Sequence, residues 1–244
     1  MDALSVTVLA FLAGASTLLG GLVFRFLKVE KRFLNWTLSG STGLLLSVIM
    51  LGMLPEAVNL GGVGYAALGL ILGGVVFMVT GFLFPHTYLY EKYEDRLYSI
   101  LKTGSLIITG ILLYNIAAGL VIGAGFAGSY ALGLAALIAV TLQNIPRGLA
   151  ISIPMSQTAM ERKKTLLILL LSGVPAMIGA AVTFAALSGS VAVLVSTGLS
   201  FCAGGMLFVF IDQMMPLIKG GRRMHELAIT LFIGLFLGVL LLGI

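Results

Sequence analysis

Of the 244 residues, 59% are hydrophobic and only 9% charged, against about 25% charged in an ordinary soluble domain. So few charges cannot solvate a globule of this length. The net charge of +5 does not signal a nucleic-acid partner either, because the basic residues sit in short segments between apolar runs, where they set membrane topology.

The apolar runs are continuous for about 20 residues at a time, enough to cross ~30 Å of hydrocarbon at 1.5 Å per residue. Transmembrane strands would instead show polar/apolar alternation over ~10 residues, and the sequence has none. Each crossing must satisfy its own backbone hydrogen bonds, so the sequence predicts an all-α integral membrane protein. Eight spans are expected in chain order, at about 3–24, 35–54, 62–84, 104–124, 129–153, 165–187, 190–217 and 226–243, within a single transmembrane domain covering 1–244. Only Asp2 is charged ahead of the first run, so that run reads as a span rather than a cleavable signal. The first connection carries Arg25, Lys28, Lys31 and Arg32. The third (85–103) carries Lys92, Arg96 and Lys102, with Tyr88, Tyr90, Tyr93 and Tyr98 forming an interfacial amphipathic stretch. The fifth (154–164) carries Arg162, Lys163 and Lys164, and the seventh Lys219, Arg222 and Arg223. Thirteen of the 14 basic residues thus share one side of the membrane, which the positive-inside rule makes cytoplasmic, with both termini outside. His86 and His225 are expected to be solvated near cytoplasmic loops, and Cys202, the one cysteine, to be a small buried hydrophobe without a disulfide. Gly119–Gly123, Gly61–Gly62–Gly64 and Gly204–Gly205 are expected to let helices approach closely. Met50, Met53, Met206, Met214 and Met215 read as packing, with soft-metal ligation as the alternative.

The remaining basic residue, Arg147, falls inside the fifth span, where a guanidinium costs roughly 2.5–3.5 kcal/mol on insertion scales unless it faces a partner or a polar cavity. Glu56 and Asp212 are the candidate charge partners at or near membrane depth. Around Arg147 the sequence reads Gln143-Asn144-Ile145-Pro146-Arg147-Gly148-Leu149-Ala150. Residues 143 and 147 are four apart and share a helix face, and Pro146 cannot donate to the carbonyl of Leu142. The fourth span carries a parallel patch, Tyr114-Asn115-Ile116-Ala117-Ala118-Gly119. Two polar patches at membrane depth predict a substrate site; a kinked, cross-linked bundle is the plainer alternative.

These two patches resemble the ZIP family of metal transporters, whose fourth span reads roughly His-Asn-x-x-Glu-Gly and whose fifth reads His-Asn-Ile-Pro-Glu-Gly-Leu-Ala. Leu54-Pro55-Glu56-Ala57 at the end of the second span and the stretch from Ala203 through Asp212-Gln213 to Pro216 in the seventh are similar to the bacterial, GufA-like branch. The resemblance implies an eight-helix bundle in which spans 1–3 and 6–8 form an inverted repeat around spans 4 and 5. It further implies a transport unit of spans 1, 4, 5 and 6 moving against the rest, a homodimer, a plasma- or inner-membrane location, and divalent metal ions such as zinc as cargo. Where the family binds metal, this chain has Tyr114 and Ala118 in span 4, Gln143 and Arg147 in span 5, and Ala176 at the acidic position of Ser172-Gly-Val-Pro-Ala176-Met-Ile-Gly-Ala180 in span 6. Asn115 and Asn144 match the family; with Gln143 and Asp212 they are the residues left for a metal.

Zinc prefers His, Cys and carboxylates, and three neutral amides beside an arginine do not replace its hydration shell. A guanidinium at contact range also repels a dication by several kcal/mol at an effective dielectric of ~20. The sequence therefore predicts a ZIP-like transporter of a small solute or ion, with a site remodelled around Tyr114, Asn115, Ala118, Gln143, Asn144, Arg147 and Ala176. A non-transporting scaffold or sensor locked by Arg147 is the alternative. No nucleophile–base pair or phosphate-binding loop is visible, so neither an enzyme nor a cofactor is expected, and the partners are the lipid bilayer and the solute.

Overall fold

The protein is described here by a computed structural model covering residues 1–26, 30–83, 96–155, 161–219 and 224–243. Residues 85–95 and 156–160 of the two longer connections, with His86, Tyr88, Tyr90 and Tyr93, lie outside the described residues, as do the side chains of Tyr98, Met214 and Met215. Among the described residues ten α-helices follow one another: α1 (Ala3–Ala15), α2 (Thr17–Phe26), α3 (Lys31–Ser47), α4 (Leu54–Leu83), α5 (Arg96–Gly128), α6 (Tyr130–Met155), α7 (Arg162–Leu171), α8 (Gly173–Leu187), α9 (Ala192–Lys219) and α10 (Met224–Leu242), with a π-helical turn at Val48–Met53 joining α3 to α4. No strand occurs among the described residues. This is the all-α membrane bundle that the continuous apolar runs require.

Among the described residues, seven helical stretches are long and apolar enough to cross a membrane. One of them, Arg32–Leu83, is 52 residues long, more than twice the ~20 that one crossing needs. It is interrupted at Gly62, where φ is 83° and ψ 167°, a conformation open to glycine alone. The segment 55–61, expected to be a connection, is helical instead. Pro55 follows directly on the π-helical turn at Val48–Met53 inside this continuous stretch, and the helical dihedrals are interrupted at Gly62. Likewise 96–103, expected to be loop, is the first part of α5.

Two helix pairs with matching breaks stand at the centre. Ser16 between α1 and α2 has ψ −17°, and Ser172 between α7 and α8 has ψ −16°, both tightened towards 3₁₀ geometry. Their hydroxyls cross-link the core: Ser16 Oγ donates to Thr141 O at 3.0 Å, and Ser172 Oγ to Gly14 O at 3.1 Å.

The most extensive packing joins α4 to α9, α3 to α10, α5 to α8, α1 to α8, α2 to α6 and α5 to α6. This scheme maps onto itself when α1/α2 exchanges with α7/α8, α3 with α9, α4 with α10 and α5 with α6. It also divides the bundle into a group of α1, α2, α5, α6, α7 and α8 and a group of α3, α4, α9 and α10, which meet through α5 on α9 and α3 on α6. Inside each group glycines bring backbones into direct contact. A Cβ on Gly20 would collide with Ile145 O, one on Gly148 with Thr17 O, one on Gly119 with Ala176 O, and in the other group one on Gly204 with Leu70 O and one on Gly234 with Gly40 O. Between the groups, Gly52 faces Leu132, Gly128 faces Leu199 and Gly198 faces Leu187, each meeting the flexible end of a leucine, as Gly21 does at Leu169 within the first group. Gly119, Gly123 and Gly204 thus serve close approach as expected, whereas Gly62 and Gly64 have nothing within 4 Å. Cys202 is buried, His225 exposed, Met53 and Met206 buried, and Met50 outward-facing.

The difference in contact type predicts different tolerance. Gly148→Val should cost at least the ~1–3 kcal/mol of overpacking, because backbone cannot give way, and should abolish a monodisperse peak in detergent. Gly128→Ala, opposite a leucine tip, should keep its melting temperature within a few degrees of the wild type.

Candidate functional site

The polar residues of α5 and α6 meet in the middle of the first group. Tyr114 Oη donates to Gln143 Oε1 at 2.6 Å. Gln143 Nε2 reaches Thr42 Oγ1 on α3 at 3.4 Å, a long contact that spans the two groups. Asn144 Nδ2 donates to Ala13 O at 2.8 Å, immediately before the break in α1. Asn115 Nδ2 turns back to Ile111 O on its own helix at 3.0 Å. Tyr114, Asn115, Gln143 and Asn144 are at most 1% exposed. The helix α6 runs unbroken through Pro146, so Gln143 and Arg147 do share a face. Arg147 is 8% exposed, and its Cζ lies over the ring of Tyr114, a cation–π contact worth ~0.5–2 kcal/mol.

These side chains form one chain of contacts, Thr42–Gln143–Tyr114–Arg147, flanked by two asparagines. Asn115 Oδ1 and Asn144 Oδ1 are buried and meet no donor among the described residues. An orphaned buried acceptor costs ~1–3 kcal/mol, and native proteins keep few without a reason.

The remaining expected site residues are placed less centrally. Ala118 and Ala176 are both fully buried, and α5 and α8 come into backbone contact where Gly119 meets Ala176. Asp212 is half-buried on α9 and Glu56 half-buried in the first turn of α4, both in the second group. Among the described residues no group of three or more His, Cys, Asp or Glu is placed to hold a metal ion. Thr42 escaped the sequence reading: it is one hydroxyl among Ser39, Ser41 and Thr42 on an apolar helix, and nothing in the order of residues marks it. The carbonyls of Ala13 and Gly14 were equally invisible, because backbone acceptors carry no side-chain signal.

Residues 90–244 match the family described as ZIP Zinc transporter. The zinc transporter GufA of Myxococcus xanthus is 30% identical over 176 residues, covering 72% of this chain and 69% of the relative. The zinc transporter ZupT of Escherichia fergusonii is 28% identical over 222 residues, 87% of this chain and 86% of the relative, and that of Salmonella paratyphi A is 28% identical over the same length. The chain belongs to the ZIP zinc transporter family, a family of membrane transporters and not of enzymes.

Tyr114→Phe removes the only donor seen at Gln143 Oε1 among the described residues and should destabilise by ~1–3 kcal/mol. The double variant Tyr114→Phe/Gln143→Leu should recover most of that loss, since no orphan remains. Thermal unfolding of the four proteins of the cycle, followed by the fluorescence of Trp36, checks this; additive losses would contradict it.

Proposed function

We propose that this chain is a ZIP-type membrane transporter whose substrate site has been rebuilt so that it no longer takes a bare divalent metal ion. The family activity is transport of metal ions, and the curated relatives are zinc transporters. The observation that carries the departure is Arg147, buried on α6 and stacked on Tyr114, whose hydroxyl is held by the neutral amide of Gln143. A cation fixed where the family's pattern has a ligating carboxylate supplies repulsion in place of ligation. Tyr114, Ala118, Gln143 and Ala176 remove the other strong ligands, and Asn115, Gln143 and Asn144 remain as weak oxygen donors, with the carboxylate of Asp212 on α9.

The framework for transport is retained in this reading. Eight crossings are supported by the 52-residue stretch with its break at Gly62. An inverted repeat of spans 1–3 and 6–8 around spans 4 and 5 is supported by the self-mapping pairing of helices and by the matching breaks at Ser16 and Ser172. An elevator-like movement of spans 1, 4, 5 and 6 against spans 2, 3, 7 and 8 is supported by backbone contacts within each group and leucine contacts between them. The protein works as a homodimer in the plasma or inner membrane, with both termini outside according to its basic loops. Asp212 and Glu56 are the acidic residues closest in type to counter-charges for Arg147.

A second reading, a non-transporting scaffold held in one state by Arg147, draws support from the complete enclosure of the site. Uptake of Zn²⁺, Mn²⁺, Fe²⁺ and Co²⁺ into proteoliposomes tests both. The wild type is expected at the level of empty vesicles and Arg147→Glu severalfold above it, which would show working machinery and sink the scaffold. Metal uptake by the wild type would overturn the rebuilt site.

A further inference from the structure

Gln143 joins the two helix groups through polar atoms in the interior of the bundle. Its Oε1 accepts from Tyr114 Oη at 2.6 Å within the first group, and its Nε2 donates to Thr42 Oγ1 on α3 at 3.4 Å. The Thr42 hydroxyl in turn donates to Leu38 O at 2.8 Å. Donors in this row all point the same way, from α5 through α6 to α3. Gln143 and Thr42 are both buried, so bulk water does not replace either partner. Each end is fixed to its own group. On α3, Ser39 Oγ donates to Leu227 O at 2.7 Å, and a Cβ on Gly43 would collide with Leu231 O, so this helix is held against the backbone of α10. On α6, Gly148 is held against Thr17 O of α2.

We infer that the Gln143–Thr42 contact is a latch that holds the two groups in the arrangement seen here, and that Thr42 is a positioning residue for their movement. The leucine tips that meet Gly52, Gly128 and Gly198 at the same boundary are apolar contacts, which have no preferred direction. A hydrogen bond has one, and it fixes the register of α3 on α6. Sliding one helix past the other by a single turn, ~5.4 Å, separates the pair and leaves a buried amide N–H without its partner, which is unfavourable. At 3.4 Å the bond is longer than the usual ~2.7–3.2 Å, so it delays the movement without blocking it. The same amide also holds the hydroxyl of Tyr114. A solute that displaces Tyr114 therefore disturbs the latch, which couples the site to the position of the groups. The inference rests on the reading that the two groups move against each other, and adds what sets the balance between their positions.

Cys202 supplies the readout. It is the one cysteine of the chain, buried on α9 and three residues from Leu199, hence on the same side of the helix, the side whose leucine tip meets Gly128 of α5. The test is the rate at which N-ethylmaleimide alkylates Cys202 in the purified, detergent-solubilised full chain well below its unfolding temperature, followed as a single mass increment. The wild type should react slowly. Thr42→Val, which keeps the shape and removes the hydroxyl, should react roughly two- to tenfold faster, the span that one net hydrogen bond gives. Thr42→Ala is the second variant should the first not fold. Thr42→Ser should restore the wild-type rate. Ser39→Ala removes a shorter bond of the same helix inside one group and should leave the rate unchanged. A wild-type rate in Thr42→Val, or equal acceleration in Thr42→Ser or Ser39→Ala, would overturn the latch and leave the movement of the groups standing. No alkylation of the wild type or any variant below the unfolding transition would overturn the movement itself, and the latch with it.

Discussion

A guanidinium enclosed at membrane depth is the constraint around which this molecule is arranged. Its desolvation is severe, and burial to 8% exposure is tolerable only because the neighbourhood is chosen for it. The face of Tyr114 takes the charge, and the hydroxyl of the same ring is held by Gln143 one helical turn below Arg147. The ring, the amide and the cation thus fix one another, and each is held on a long helix that does not break at Pro146. Ala118 and Ala176, both fully buried, bring no charge to the bundle. At Gly119, α5 meets the backbone of α8 directly.

The packing around that centre has two textures. Within a group, peptide units touch because glycine is the only residue that fits, and such contacts transmit displacement without give. Between the groups, leucine tips meet glycines, a surface that can slide by changing rotamers. The long hydrogen bond from Gln143 to Thr42 crosses that boundary directly at the site, so a change at Gln143 is felt by both groups. The break at Ser16 puts a hydroxyl and the Ala13 carbonyl beside α6, and the break at Ser172 puts a hydroxyl on the Gly14 carbonyl of α1.

Much of this was written in the order of the residues. Continuous apolar runs dictate helices, because hydrocarbon leaves a backbone no other way to bond itself. QNIPRGLA and YNIAAG marked the two patches that the structure brings together, and Gly119 and Gly123 announced close approach to another helix. The failures have physical causes. The stretch 55–61, expected as a connection, is helical, and the break at Gly62 needs a positive φ that only the fold reveals. Serines in mid-helix are ordinary, so nothing set Ser16 and Ser172 apart. The stacking of Arg147 on Tyr114 depends on the rotation of two helices about their axes, which no spacing within one of them determines. Thr42 belongs to a third helix, and its part comes entirely from tertiary packing.

The central claim is that Arg147 has removed metal binding from a ZIP framework. Equilibrium dialysis of the purified protein against radiolabelled zinc, in parallel with Arg147→Gln, tests it most directly. The account predicts well under one zinc retained per wild-type chain at micromolar free metal, and more in the variant once the fixed charge is gone. One or more zinc ions per wild-type chain, lost on replacing Asn144 by alanine, would contradict it.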